Sequence, residues 1–213
     1  MTTDESASRR LTASARRAQL VEVGRQVFAE RGFEAASVEE IAERAKVSKP
    51  IVYEHFGGKE GLYAVVVDRE MERVVTLISD AIAEGAPRER LEQAALAFLT
   101  YAKDNPDGFA VLSRDVPVTT AGGGMSGLLN EVADRVGKVF ATELKRAGYD
   151  QKAAPIYAHA LVGMVTFVGQ WWTEARKPSV DEVAAHLTAL AWTGLRHLPR
   201  KPELSIKKRK RKN

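Results

Sequence analysis

Apolar residues recur every three or four positions along nearly the whole chain, and no segment alternates apolar and polar with period two for long. That spacing gathers apolar side chains on one stripe of an α-helix and speaks against half-buried strands. The fold class it implies is all-α. A first helix over about residues 14–31 carries Leu20, Val23, Gly24, Val27 and Phe28 inward and stops at Gly32. Ser37-Val38-Glu39-Glu40 fits a capping box at the start of a second helix, whose inner stripe is Val38, Ile41, Ala42 and Ala45. A short third helix is expected over about Ser48–Phe56. Pro50 is tolerated there only in the first turn, where its missing N–H is no loss, and Gly57-Gly58 ends it. Longer helices fit 59–84, 87–103, 106–114, 127–147, 153–177 and 180–198, the last opened by a second capping box at Ser179-Val180-Asp181-Glu182.

The change from short to long helices suggests two folded parts. The expected division is a flexible basic arm over 1–13, a three-helix unit over 14–60, a larger helical body over 61–198 and a disordered basic tail over 199–213. The fourth helix joins the two parts.

Charge is unevenly spread. Residues 1–60 hold ten basic and ten acidic residues, residues 61–195 hold thirteen and seventeen, and residues 196–213 hold nine and one. The net +4 therefore comes from the tail, and nucleic-acid binding has to be argued from a local motif. With no cysteine there is no disulfide or thiolate chemistry, which fits a cytoplasmic protein. No apolar run approaches the ~20 residues that span a bilayer, so no membrane partner is expected.

The second and third helices have helix-turn-helix proportions. Val47 fills the corner, and Val52 and Phe56 hold the second of the pair from behind. Ser48, Lys49, Ile51, Tyr53, Glu54 and His55 are left for the outer and flanking sides, where such a helix suits a major groove. Ser, Tyr and Lys at its rim suit phosphate oxygens. Lys59 opens the next helix, where free N–H groups and a cation could hold one phosphate together. The bland alternative is an ordinary polar surface on a helical core.

The stretch FAERGFEAASVEEIAERAKVSKPIVYEHFGGKEGLY resembles the DNA-binding domain of the TetR family of bacterial transcriptional regulators, nearly continuously from about Leu20 to Tyr63. Phe28, Gly32, Phe33, Ser37, Ile41, Ala42, Ala45, Val47, Ser48, Tyr53, His55, Phe56, Lys59, Glu60 and Leu62 carry the resemblance. It implies a homodimer that binds a palindromic operator as a repressor and usually releases it when a small molecule enters the second domain. It would put Ser37, Ser48, Tyr53, His55 and Lys59 mainly on phosphates, and Lys49, Pro50, Ile51 and Glu54 at or near base edges. Lys46 stands where the family's turn usually has Gly, so a strained left-handed backbone is expected, offset by a reach to phosphate. Ile51 stands where a small or hydroxylic residue is common and offers only apolar contact, for instance with a thymine methyl. Arg9, Arg10, Arg16 and Arg17 would follow the minor groove or the backbone. The run KKRKRK at 207–212 either adds sequence-independent affinity or merely solubilises the tail.

In the body, the segment KAAPIYAHALVGMVTFVGQWWTEARK is apolar nearly all round, as in a helix buried on more than one side. One side holds Tyr157, Leu161, Met164, Val168 and Trp171, and another holds Ala158, Val162, Val165, Gly169 and Trp172. By resemblance, the last two helices of each subunit form a four-helix dimer interface. The expected residues are Val162, Val165, Trp172, Val183, Leu187, Leu190, Ala191, Gly194, Leu195 and Leu198, unless all of them fill one monomeric core. Candidates for an apolar or amphipathic effector pocket are Phe98, Tyr101, Phe109, Leu112, Met125, Met164, Phe167, Val168 and Trp171. Nothing in the sequence identifies the effector.

Gly122 to Gly127 formally match a dinucleotide-binding glycine pattern, but no strand precedes them, so that reading fails. The four histidines do not fall at metal-ligand spacing, and no catalytic constellation stands out, so neither a cofactor nor an enzyme is expected. The rival reading is a DNA-binding protein without small-molecule control, acting as a structural or protein-regulated factor.

Overall fold

The computed structural model describes residues 12–113 and 124–203, and of residues 124 and 125 the backbone alone. Among the described residues there is no strand. The helices are α1 (Ala13–Ala35), α2 (Val38–Arg44), α3 (Lys49–Phe56), α4 (Lys59–Ala81), α5 (Pro87–Asp104), α6 (Pro106–Ser113), α7 (Gly124–Arg146), α8 (Ala154–Ala175) and α9 (Val180–Arg196). A single 3-10 turn, Gln151–Ala153, leads into α8. The chain divides into two compact units. One runs up to Thr76 and adds Tyr101–Leu128; the other takes Leu77–Thr100 and everything from Leu129 onward.

In the first unit the local stops decide the layout. Gly32 interrupts α1 with φ 76°, a conformation open to glycine, and a short turn follows before Ala36. The Ser37 Oγ accepts from the Glu40 backbone N–H at 3.1 Å and caps α2. Such a cap contributes about 1 kcal/mol. The Glu40 carboxylate, expected to turn back on the cap, is held instead by Arg44 at 2.7 Å and Arg31 at 3.4 Å. Leu20, Val27, Phe28, Ile41, Ala45, Val52 and Leu62 fill the core. Full burial of such a side chain stabilises by about 1.5–3 kcal/mol. Tyr63 meets Phe28 edge-on with ring centroids 4.9 Å apart. The end of α3 and the start of α4 approach so closely that a Cβ on Gly61 would lie 1.9 Å from the Phe56 carbonyl oxygen.

In the second unit, Ala95, Leu99, Trp172, Val183, Ala184 and Leu187 form a core, with Met164, Val165 and Val168 packed against it. The Trp172 Nε1 donates to the Pro178 carbonyl at 2.7 Å. Ser179 caps α9 through the Glu182 N–H at 3.3 Å.

Here the burial of individual side chains departs from two sets of expectations. Trp172, Val183, Leu187 and Ala191, expected to face a partner, are turned into the unit's own core, with Trp172 only 3% exposed. Phe167 and Trp171, expected to line a pocket, are 77% and 55% exposed. Neighbouring residues lie about 100° apart on a helix, and the side turned to the core is the one that carries Trp172, not the one that carries Trp171. Phe167 and Trp171, four apart, share a face, and Ile156 is exposed on the same helix. Leu190 and Gly194 are exposed on α9, while Val162, Val165, Leu195 and Leu198 are half-buried. The segment Gln151–Ala175 is long and apolar enough by composition to cross a bilayer, contrary to the expectation of no such run. A core helix with one outward apolar face meets the same measure.

Candidate nucleic-acid interface

The turn between α2 and α3 is built on backbone hydrogen bonds. The Lys46 N–H donates to Glu43 O at 3.0 Å and the Val47 N–H to Ala42 O at 2.9 Å. Lys46 itself takes φ 53°, the left-handed conformation expected of it. That conformation costs a residue with a Cβ about 1–2 kcal/mol. Its side chain is exposed.

Helix α3 has eight residues and one fully buried side chain, Val52. Lys49, Pro50, Tyr53 and Glu54 are exposed, and Ile51, His55 and Phe56 are half-buried. Tyr53 is 53% exposed, unusual for an aromatic of its size. Ser48 precedes the helix, exposed and without a side-chain capping bond, so its hydroxyl is available to a partner. Gly57 closes α3 with φ 74°, its N–H donating to Tyr53 O at 2.8 Å.

The cations are less free than their spacing suggests. The Lys49 ammonium pairs with the Glu39 carboxylate. Lys59 Nζ donates to Phe33 O at 3.0 Å and Glu34 O at 3.3 Å, and lies 4.4 Å from the Phe33 ring centre. Arg17 donates to His55 O at 2.8 Å and covers the Phe56 ring at 4.3 Å, tying α1 to the end of α3. Arg16 donates to Gln19 Oε1 at 2.6 Å, and Gln19 Nε2 reaches Ala45 O at 3.2 Å. Arg44 pairs with Glu30 at 2.7 Å. Hydrogen bonds from Arg44 and Lys49 hold the Glu30 and Glu39 carboxyls below the usual range. Among residues 12–60, Lys46 alone of the basic residues makes no side-chain hydrogen bond or ion pair. Ser37 uses its oxygen as the α2 cap.

Sequence reasoning missed Glu39 and Gln19. Their roles depend on the crossing of α1, α2 and α3, which periodicity does not encode. Arg9, Arg10, the Met125 side chain, the Gly122–Gly123 stretch and the basic run at 207–212 lie outside the described residues.

The expected pocket residues separate. Phe98 is buried in the second unit, against Gly169, where a Cβ would lie 2.8 Å from its ring. Met164 and Val168 are half-buried in that unit. Tyr101, Phe109 and Leu112 are buried in the first. There the Tyr101 Oη donates to the buried Glu70 carboxylate at 2.7 Å, and Arg73 reaches the same group at 3.4 Å. Burial, then the Glu70 carboxylate, hold the Tyr101 phenol well above its ordinary pKa. An open cleft in the second unit is lined by Asp80, Ala81, Ala83, Glu84, Gly85, Gln93 and Leu96, none of them an expected pocket residue.

Two family profiles match the chain. One describes bacterial regulatory proteins of the tetR family and covers residues 20–66. The other, a tetracyclin repressor-like C-terminal domain, covers residues 77–204. The HTH-type transcriptional activator FasR of Mycolicibacterium smegmatis is 30% identical over 200 residues, 89% of this chain and 87% of that protein. The HTH-type transcriptional repressor AcnR of Corynebacterium glutamicum is 31% identical over 64 residues, 30% of this chain and 34% of that protein. Among solved structures, a TetR-like transcriptional regulator from Rhodococcus sp. RHA1 superposes with a TM-score of 0.70 at 29% identity, covering 89% of this chain and all of that one.

Proposed function

Because the chain belongs to the TetR family of bacterial transcriptional regulators, we propose that it is a homodimer that binds a palindromic operator through α3 and leaves it when a small effector binds the C-terminal body. One observation carries the DNA-reading part. A short helix, held from behind by Val52, presents Lys49, Pro50, Tyr53 and Glu54 outward, with the unpaired Lys46 in the turn before it. Ser48 and Tyr53 supply hydroxyls for phosphate, and Ile51 supplies an apolar edge. These contacts fall within 14–60. Selection of DNA by the purified chain tests this reading, with Tyr53→Ala expected to weaken binding at least tenfold.

The outward face of Ile156, Phe167, Trp171 and Leu190 supports the dimer. Side chains of that size are seldom left in water together unless another surface covers them. The effector is a small apolar or amphipathic molecule, for which the buried Phe98 and the half-buried Met164 and Val168 offer apolar and polarizable contacts in the second unit. Its action is a coupling free energy: it binds more tightly to the form that fits the operator less well.

The direction of control has a second reading. The relative that matches most of this chain is named an activator, and a shorter match is named a repressor. A reporter under the selected operator, with and without the protein, separates the two: repression lowers expression and activation raises it.

A further inference from the structure

Residues 12–60 hold eight basic and eight acidic residues, and seven of the eight basic side chains are already engaged within the chain. Sequence-independent affinity for DNA comes from free cations that neutralise phosphates. Residues 12–60 offer one such cation, Lys46, so discrimination by this segment is to be sought in particular side chains. The pair closest to the expected reading head joins Glu39, the second residue of α2, to Lys49, the first residue of α3. Both side chains are half exposed.

Chemically the pair is a donor beside an acceptor. In the major groove a G·C base pair presents the guanine N7 and O6 acceptors beside the cytosine N4 donor. A·T presents a different arrangement, and phosphates present acceptors only. We infer that Glu39 is a specificity-determining residue: with Lys49 it reads one G·C base pair at the start of α3 and disfavours DNA that lacks it. This rests on the DNA-reading role proposed for α3. On a matching site, the Lys49 ammonium donates to guanine and the Glu39 carboxylate accepts from cytosine N4. On other DNA there are two possibilities. Lys49 can stay with Glu39 and add nothing, or it can turn to a phosphate and leave an unpaired carboxylate near the anionic backbone. Exposed ion pairs are weak, so the exchange on the right site is accessible.

The test uses the full chain. Wild type and Glu39→Gln each select from a pool of random-sequence duplexes, and affinities for the selected duplex and a scrambled one are measured at a single salt concentration. Wild type is expected to enrich a motif with one G·C pair per half-site, whose replacement by A·T weakens binding about tenfold. Glu39→Gln is expected to bind the scrambled duplex about fivefold tighter and to lose most of the discrimination at that base pair. A selected-to-scrambled ratio in Glu39→Gln equal to that of wild type would overturn the role of Glu39 and leave the DNA-reading role standing. Absence of any enriched motif with wild type would overturn both.

Discussion

The Tyr101 hydroxyl donates to the Glu70 carboxylate over 2.7 Å, both groups being buried among α4, α5 and α6. A Cβ on Gly108 would come within 2.4 Å of the same carboxylate, so α6 packs directly on the pair. Removing the donor leaves a buried acceptor short of a partner, which costs about 1–3 kcal/mol. Tyr101→Phe is therefore expected to lower the unfolding free energy obtained from urea titration at pH 7 by that amount.

The same pair has a pH signature. Burial raises the folded phenol's pKa above the value of about 10 that it has when unfolded, so the fold favours the neutral form. Its stabilisation is full below about pH 10 and declines as pH rises beyond that toward the folded value. Wild type and Tyr101→Phe should differ by a constant amount from pH 7 to 9 and converge above about pH 10. Urea titrations across that range check it; a constant gap up to pH 11 would contradict it.

Lys46 holds a left-handed backbone at φ 53°, and its exposed side chain makes no hydrogen bond or ion pair. Replacing it by glycine relieves about 1 kcal/mol of backbone strain and removes one cation from the turn. Lys46→Gly should melt at or above the wild-type temperature, bind operator more weakly, and lower the salt slope by about 0.9. Unchanged or tighter operator binding in a fluorescence titration would exclude the phosphate role.

Gly61 has the opposite character. Its missing side chain lets α4 begin against the Phe56 carbonyl, only 1.9 Å from where a Cβ would sit. Gly61→Ala must displace backbone rather than a flexible side chain and is expected to cost about 3 kcal/mol. The loss should appear in both melting temperature and DNA affinity, because α3 ends at that junction.

The proposed two-fold assembly rests on the outward faces of α8 and α9. Phe167 and Leu190 make no contribution to the unit's own core, so Phe167→Glu with Leu190→Glu should leave helicity and melting nearly intact while producing a monomer. Analytical ultracentrifugation at micromolar concentration decides it: a wild-type monomer, or a dimeric double variant, would remove the interface from this face.

How much of this was legible depended on what marks each element. Pro50 and Gly57 punctuate α3 in the sequence itself, so its limits and its inward Val52 could be read directly. The left-handed Lys46 follows from the resemblance, because the family usually has Gly at that position of the turn. The faces of α8 could not. With Phe167, Val168, Trp171 and Trp172 all apolar, periodicity gives the helix but not which side meets the core, and the structure turns Trp172 inward and Trp171 outward. The Lys49–Glu39 pair, ten residues apart, and the seat of Lys59 on the Phe33 and Glu34 carbonyls depend on how helices cross. Such angles follow from packing in three dimensions.

That the exposed residues of α3 read DNA is a proposal. It is tested most directly by sequencing genomic fragments retained by the purified chain, alongside a Lys49→Ala, Tyr53→Ala variant. The expected result is a shared two-fold-symmetric motif with half-site centres about 34–36 Å apart or at a longer spacing, lost in the variant. Fragments sharing no motif, or the same motif retained by the variant, would contradict it.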